Sequence, residues 1–377
     1  GATQYNQNLV CGNTVSNCNI GNSKLCEQLA TSLEPQTYYS QSCVGGAVGY
    51  CNGPTSITSN TIENTTITNY ASNTGGIIGQ LNGSNVGVYN IVKNISLRGN
   101  GQNNGGIVGL DIGTNNDFSG GTVNGGTIYS RGVNTGGICG YSNYGFFSGN
   151  TVSNLAITSE EAFTGGIVGF GMYTNSISGS RTTNSNITTS GKWCGGIAGM
   201  IYSPQSNMIG ATVIDSTITS TNSNVGGIFG ELNRMGKSAN YNTLTNTTVS
   251  GVDENVGGIV GIFTSDAYES TPTISNCNVT SSTITLTGAD AKHAGGIVGL
   301  ASNNGSSDDK GGTNISSCNV HSSTISGIDY VGGISGSSAT NIESCTVDKN
   351  TTITGRTGVG GIQGFGGLKG TMSVQET

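Results

Sequence analysis

The chain has 377 residues, a formal net charge of −7 and charged side chains at only 9% of positions. Its 13 basic residues are scattered singly, which argues against nucleic acid because that partner requires a basic stripe. No apolar run approaches the roughly 20 residues that span a bilayer. Aromatic residues make up 6% and glycines number 65, a composition too poor in large apolar side chains for a compact protein but suited to the thin core of a solenoid.

The N-terminal residues 1–44 predict a Cys-rich cap. The chain starts at Gly1 without Met or a signal peptide, so we expect a processed or mature form. Half of the ten cysteines lie near this end and are disulfide candidates: Cys11, Cys18, Cys26, Cys43 and Cys51. Their density favours an oxidising compartment, and their odd number leaves one for a distant or intermolecular partner. The segment from Ser23 to Pro35 predicts a short helix over the open end of the fold.

From residue 45 to residue 370 a Gly-Gly-Ile-x-Gly motif recurs at intervals of 28 to 38 residues. The first glycines of its eleven copies are Gly45, Gly75, Gly105, Gly136, Gly165, Gly195, Gly226, Gly257, Gly295, Gly332 and Gly360. A fixed period in this range is typical of a solenoid or a propeller. A propeller blade needs about 40–50 residues and four strands, and these units are shorter, so the solenoid is favoured.

Two apolar anchors precede most double glycines, as Ile62 and Ile67 precede Gly75. These β-branched residues, separated by Asn, Ser, Thr and Gly, predict strands. Their odd spacing of five requires a bend, because side chains alternate faces along a straight strand. We therefore predict an all-β fold, a parallel β-solenoid (β-helix) of about eleven ~30-residue coils with three short strands per coil and a disulfide-rich N-terminal cap.

The glycines of the motif are explained by geometry. They would admit close approach of neighbouring backbones and permit positive φ at a corner. A phosphate-binding loop is disfavoured, because no Gly-x-x-x-x-Gly-Lys-Ser/Thr sequence occurs.

The residue two positions before the first anchor faces inward in each coil. Equivalent residues of successive coils are therefore predicted to stack as a core ladder. Asn amides would bond to the next coil there, and Cys would serve as a small core residue rather than a bridge. The ladder residues are Asn60, Asn90, Asn150, Asn242, Cys277, Cys318 and Cys345. Three stacked thiols lack a fourth metal ligand, so no metal or other cofactor is predicted.

Other features lie at the surface. Passage through a eukaryotic secretory pathway would make Asn-x-Ser/Thr sequons glycosylation candidates. They are Asn64, Asn82, Asn94, Asn186, Asn246, Asn278, Asn304, Asn314 and Asn350. Insertions at Phe263–Thr273 and Ser302–Thr313 predict loops, the second carrying Asp308 and Asp309 as solvated or calcium-binding groups. Residues 371–377 form a tail without a capping helix, and an uncapped edge is a template for another chain.

Two short stretches resemble the GLUG repeat family, whose motif is Gly-Leu-Val-Gly. They are VGGIVG from Val256 to Gly261 and NCNV from Asn276 to Val279, with Ile usually replacing the family's Leu. The resemblance covers residues 45–365. It implies an extracellular β-solenoid with a surface or adhesive role, and it supplies no catalytic residues.

Three functions are weighed. The first is a non-enzymatic extracellular structural protein, a homopolymer formed through the solenoid ends, because heterologous contacts propagate a fibre. The second is an adhesin or glycan-binding module, with outer-face tyrosines as stacking platforms: Tyr129, Tyr141, Tyr144, Tyr173 and Tyr202. The third is a polysaccharide lyase or hydrolase, which needs convergent acids. It is disfavoured because the 20 acids are mostly solitary and His293 and His321 stand alone.

Overall fold

A computed structural model describes residues 8–21, 43–83, 85–174, 176–203, 207–235, 238–265, 272–303, 313–338 and 341–366. Over these residues the chain is an all-β parallel β-solenoid, which confirms the predicted fold class. The predicted helix between Ser23 and Pro35, the tail at 371–377, Cys26, Asn304 and the pair Asp308–Asp309 lie outside the described residues.

A regular turn passes through four faces. In one turn, Thr55–Thr58 lies on face 1, Thr61–Glu63 and Thr66–Asn69 lie on face 2, Thr74–Gly75 lies on face 3, and Ile78–Asn82 lies on face 4. This turn has five strands rather than the predicted three. Sequence reasoning missed face 1 and treated the glycine motif as one strand, whereas the motif turns a corner between two.

The strands fall on the four faces as follows. Face 1 contains Asn8–Cys11, Thr55–Thr58, Asn85–Val86, Phe146–Ser148, Ser176–Ser178, Asn207–Ile209, Ala239–Asn240, Thr273–Ser275, Asn314–Ser316 and Asn341–Glu343. Face 2 contains Thr14–Ser16, Asn19–Gly21, Thr61–Glu63, Thr66–Asn69, Ile91–Gly99, Thr122–Ser130, Thr151–Ser159, Arg181–Thr183, Asn186–Thr189, Thr212–Ile214, Thr217–Ser220, Thr243–Thr245, Thr248–Gly251, Asn278–Thr280, Thr283–Leu286, Asn319–His321, Thr324–Ser326, Thr346–Val347 and Thr352–Thr354. Face 3 contains Val44–Gly45, Thr74–Gly75, Asn104–Gly105, Thr135–Gly136, Thr164–Gly165, Cys194–Gly195, Val225–Gly226, Glu254–Gly257, Lys292–Gly295, Asp329–Gly332 and Thr357–Gly360. Face 4 contains Val48–Asn52, Ile78–Asn82, Val108–Asp111, Cys139–Asn143, Val168–Met172, Ala198–Tyr202, Phe229–Met235, Val260–Ser265, Val298–Asn303, Ser335–Ser338 and Gln363–Gly366.

Faces 3 and 4 are each an eleven-stranded parallel sheet. The solenoid begins inside the segment predicted to be a cap, because Asn8–Cys11 pairs with Thr55–Thr58 and Thr14–Ser16 pairs with Thr61–Glu63. The described residues contain no disulfide bond, so the disulfide-rich part of the predicted cap is not confirmed.

The core is a set of columns in which equivalent residues of successive turns stack. The first anchor Ile62 pairs in register with Val92, and Val92 pairs with Val123. All three side chains are buried. The bend that the odd anchor spacing requires is made at face 2 by a left-handed residue such as Asn64, whose φ is 49°. Asn adopts this conformation more readily than most residues.

The double glycine is required by contact between turns. A Cβ on Gly76 would lie 1.9 Å from the carbonyl oxygen of Gly106, and one on Gly106 would lie 2.0 Å from that of Gly137. These glycines do not have positive φ, so the prediction that they supply positive φ at a corner is wrong. The left-handed residue lies two positions before the first glycine. The glycines themselves are required only because the backbones of adjacent turns approach so closely.

We predict a sharp contrast between two equivalent glycines. Gly106→Ala forces a methyl group into the backbone of the next turn and is expected to destabilise the fold by roughly 3 kcal/mol. Gly361→Ala, at the same motif position in the last turn, meets nothing within 4 Å and is expected to change stability by less than about 0.5 kcal/mol. Chemical denaturation of both variants measures the difference, and equal effects would contradict the packing argument.

Candidate functional site

A column of left-handed residues marks the corner that leads into face 3. The residue two positions before the double glycine has a φ between 57° and 73° in nine successive turns. We call these residues the corner column: Asn73, Asn103, Asn134, Phe163, Trp193, Asn224, Asn255, His293 and Tyr330. Asn is favoured there for its tolerance of the left-handed region, whereas bulky residues are rare in that region. Phe163 and Trp193, in the middle of the column, nevertheless adopt it.

In the first part of the column, the side-chain amides of Asn73, Asn103 and Asn134 form a chain of hydrogen bonds that we call the first amide run. Asn134 Nδ2 donates to Asn103 Oδ1 at 2.7 Å, and Asn103 Nδ2 donates to Asn73 Oδ1 at 2.8 Å. Asn73 Nδ2 then donates to Gln80 Oε1 at 2.9 Å. Hydrogen bonds in such a chain polarise one another, so each amide oxygen becomes a better acceptor. At the far end, Asn134 Oδ1 is buried and has no hydrogen-bond partner.

A second amide run ends differently. Asn255 Nδ2 donates to Asn224 Oδ1 at 2.9 Å, and His293 Nδ1 lies 2.8 Å from Asn255 Oδ1. Because an amide oxygen can only accept, Nδ1 of His293 carries the proton. Burial lowers the pKa of His293, and a neutral ring retains this bond. His293 therefore gives the last amide oxygen of the second run a hydrogen-bond donor, whereas the last amide oxygen of the first run, Asn134 Oδ1, has none.

Between the two runs lies an aromatic cluster that we define as Tyr141, Phe163, Phe170 and Trp193. Phe163 stacks on Trp193 with centroids 4.6 Å apart and on Phe170 at 5.0 Å. Phe170 meets Tyr141 edge to face at 5.5 Å. Trp193 Nε1 donates to the Glu231 carboxylate, which also accepts from Asn233 Nδ2. All four rings are partly exposed, so the cluster presents an aromatic surface along the corner.

A cavity of about 330 Å³ adjoins the first amide run and the cluster. Its lining combines neutral amides, aliphatic side chains and one phenol: Gln80, Gln102, Asn103, Asn134, Leu110, Ile112 and Tyr141. This volume lies at the lower end of the range of small-molecule sites, which are mostly apolar with a few placed polar groups. The cavity is therefore the candidate functional site of the described residues.

A buried carboxyl group supports one wall of the cavity. Asp111 lies between the lining residues Leu110 and Ile112, and its oxygens accept from Ser142 Oγ at 2.8 Å and from the Gly113 backbone N–H at 3.0 Å. Burial raises the pKa of Asp111 to about 7, outweighing the hydrogen bonds from Ser142, Gly113 and Asn116 that lower it. Asp111 consequently titrates near neutral pH.

The predicted core ladder lies at the corner between faces 1 and 2. Asn60, Asn90, Asn150 and Asn242 are fully buried. The backbone N–H of Asn60 donates to Asn90 Oδ1 at 3.0 Å, and Asn90 Nδ2 donates to the Ile57 carbonyl at 2.8 Å. The Asn90 side chain thus bonds to the backbone of the preceding turn. In addition, Asn60 Nδ2 donates to Asn90 Oδ1.

The ladder cysteines also contact the backbone of the preceding turn. Cys277, Cys318 and Cys345 are buried thiols whose sulfurs approach face 1 carbonyls of the preceding turn at 3.6–3.8 Å. Contact with neighbouring thiols and burial raise the pKa of Cys318 and Cys345 well above the usual range. Such thiols are unreactive, because the thiolate is the nucleophile and metal ligand. Among the described residues there is no cluster of three or more His, Cys, Asp or Glu side chains placed to hold a metal.

The four disulfide candidates that the structure describes form no disulfide bond and differ in burial. Cys11 and Cys18 are exposed, while Cys51 is buried and donates to Thr55 Oγ1 at 2.9 Å. Cys43 is half-buried, with its sulfur 3.1 Å from Gln80 Oε1. Cys43 thus contacts the residue at which the first amide run ends.

The sequons occupy several environments. Asn64, Asn94 and Asn246 are exposed left-handed residues at the bend of face 2, where Asn94 Nδ2 donates to Asn64 Oδ1 at 3.1 Å. The others are exposed or half-buried: Asn186 and Asn278 on face 2, Asn314 on face 1, Asn82 at the end of a face 4 strand, and Asn350 in a turn.

The predicted tyrosine platforms do not form one surface. Tyr141 belongs to the aromatic cluster, whereas Tyr144 stacks on Tyr173 at 5.1 Å and Tyr173 meets Tyr202 at 5.9 Å near the corner between faces 4 and 1. Tyr129 lies on face 2, beneath the Arg98 guanidinium at 5.2 Å. Sequence reasoning did not select Phe163, Phe170 or Trp193, although they share the spacing of the repeat.

Comparison of the chain with protein-family models, curated proteins and solved structures gives no match. The resemblance to GLUG repeats therefore stays a prediction. In the described residues no helix is long and apolar enough to cross a membrane.

We predict that Asp111 makes stability depend on pH. A carboxyl whose folded pKa is raised stabilises the fold most below its unfolded pKa of 3.8, and this contribution is lost as pH rises through about 7. Asp111→Asn keeps the shape and can donate to Ser142 Oγ, so it should match the wild type near pH 4. At pH 8 it should be more stable, by about 4 kcal/mol at most.

Urea unfolding of both proteins from pH 4 to pH 8 measures this difference. Parallel pH profiles would contradict the assignment of a titrating Asp111.

Proposed function

We propose that the protein is a non-enzymatic structural subunit that assembles head to tail through the ends of its solenoid, outside the cell or at its surface. The observation that carries this proposal is the exposed last turn. Val359 is 47% exposed, whereas Val331, its partner in the preceding turn, is fully buried. The last described turn thus presents side chains that every interior turn covers.

The same turn also ends every hydrogen-bonded ladder of faces 3 and 4 among the described residues. Thr357–Gly360 and Gln363–Gly366 are the final strands of their sheets. In interior turns the second glycine donates its N–H to the next turn, as Gly333 does to the Gly360 carbonyl at 3.1 Å. A second subunit placed on Gly361 would continue this pattern, because the first turn offers equivalent strands at Val44–Gly45 and Val48–Asn52.

Sequence features support the remaining parts of the proposal. Low charge, ten cysteines and the resemblance to GLUG repeats favour a position outside the cell. The two carboxylates buried among the described residues, Asp111 and Glu231, are each held by hydrogen bonds to neighbouring side chains. That arrangement is structural and supports a non-enzymatic role.

We expect Gly361→Ala to block assembly while leaving the monomer intact. In a stacked subunit the added methyl group would meet the backbone of the incoming first turn, as it does at every interior copy of the motif. Sedimentation velocity and negative-stain microscopy should show wild-type fibres with an axial repeat on the order of 50 Å, set by eleven strand spacings. Gly361→Ala should give short rods.

Thr188→Ala, an exposed substitution on face 2, is the control and should assemble like the wild type. Short rods from the wild type, or fibres from Gly361→Ala, would overturn the head-to-tail contact. Adding reductant tests the exposed Cys11 and Cys18, since loss of fibres would place a disulfide at the junction.

A further inference from the structure

The lining of the corner cavity restricts the chemistry of a ligand. Its polar residues are the uncharged amides of Gln80, Gln102, Asn103 and Asn134, and none of its seven lining residues carries a charge. A phosphate or carboxylate ligand would meet no compensating cation there. A neutral ligand with several hydroxyl groups matches amides, which both donate and accept.

The apolar part of the lining narrows the choice. Leu110, Ile112 and the ring of Tyr141 supply this part, and Leu110 lies between Gln80 and Tyr141 in one column of face 4. A sugar ring combines hydroxyl groups at its edge with C–H groups on its face, so it can satisfy both parts of the lining. We propose that this cavity is a binding site for a neutral saccharide, with the sugar edge against the amides and a ring face against Tyr141.

The side-chain oxygen of Asn134 lacks a hydrogen-bond partner. Asn134 is 7% exposed and lines the cavity, and its Oδ1 receives no hydrogen bond. A buried acceptor without a donor is unfavourable, because the hydrogen bond to water that it loses on burial is not replaced. The corresponding oxygen of the second run, Asn255 Oδ1, is closed by His293. Because this oxygen lies beneath the cavity surface, a ligand hydroxyl group can donate to it only when the Asn134 side chain turns towards the cavity.

The aromatic cluster extends the site along the rod. From Tyr141 the partly exposed rings of Phe170, Phe163 and Trp193 follow one another at centroid distances of 4.6–5.5 Å. A saccharide chain leaving the cavity would therefore pass over successive rings. Aromatic rings with one apolar face and a wet edge are suited to such contacts. This inference does not depend on head-to-tail assembly, because the corner lies on the side of the solenoid.

The experiment uses the chain's one tryptophan as the reporter of place. Isothermal titration of the full chain with maltohexaose, mannohexaose and chitohexaose gives Kd, and Trp193 emission is recorded in parallel. Hexagalacturonate is the acidic probe. We expect at least one neutral oligosaccharide to bind saturably and change Trp193 emission, and the acidic probe to bind more weakly.

Three variants locate the site. Asn134→Leu removes the unpaired acceptor, and Gln102→Ala removes a half-buried amide with less effect on folding. Each should weaken binding roughly tenfold, the effect of losing one buried hydrogen bond. Tyr144→Ala, at the other corner of face 4, should leave Kd unchanged, and circular dichroism verifies that all variants are folded.

The proposal is overturned if no neutral probe binds, if the acidic probe binds best, or if both cavity variants bind as the wild type does.

Discussion

The glycine motif brings the backbones of adjacent turns into close approach. In each interior turn the second glycine of the motif faces a carbonyl of the next turn at a distance that excludes even a methyl group. This contact sets one constant separation between turns at the corner of faces 3 and 4. Because the two glycines carry no side chain there, the inward Ile that follows can pack directly above its equivalent, as buried Ile77, Ile107 and Ile138 do.

Because the separation between turns is constant, equivalent residues of successive turns stack in columns. Residues about 30 positions apart become nearest neighbours, so the chemistry of a surface column depends on what one repeat position holds in successive turns. At the corner column this produces two amide runs separated by aromatic rings. The runs have a direction, because each amide donates towards the N-terminal end. The residue that follows each run therefore decides whether its last amide oxygen has a donor. Phe163 provides none to Asn134, whereas His293 provides one to Asn255.

The repeat could be read from sequence because glycine and the anchors tolerate little variation in chemistry. The parallel solenoid, a bend between the anchors Ile62 and Ile67, and the inward position of Asn60 follow from spacing and parity alone. Face 1 could not be predicted in this way, since its inward residues range from Phe147 through Met208 to Ala239. The space they fill differs from turn to turn, and no single side-chain type marks the position.

The candidate site was hidden for another reason. Asn two positions before the double glycine is visible in the sequence at Asn73, Asn103 and Asn134, but polar residues are abundant throughout the chain. What distinguishes this position is the run of hydrogen bonds between buried left-handed amides, which only the structure shows. The sequence offers the tyrosines only as single residues, whereas the rings that surround Tyr141 come from two different positions of the repeat, Phe163 before the glycines and Phe170 after them.

The wider interval between Gly257 and Gly295 leaves the sheets undisturbed. Val260 still pairs with Val298, and Gly257 still pairs with Gly295, so the extra residues do not change the register between turns. Interior turns are therefore modules of a rod, each in contact only with the turn above and the turn below. Duplication or loss of one module would lengthen or shorten the rod by one strand spacing, about 4.8 Å. It would also change the order of amides and rings along the corner, so that length and surface pattern can be inherited together.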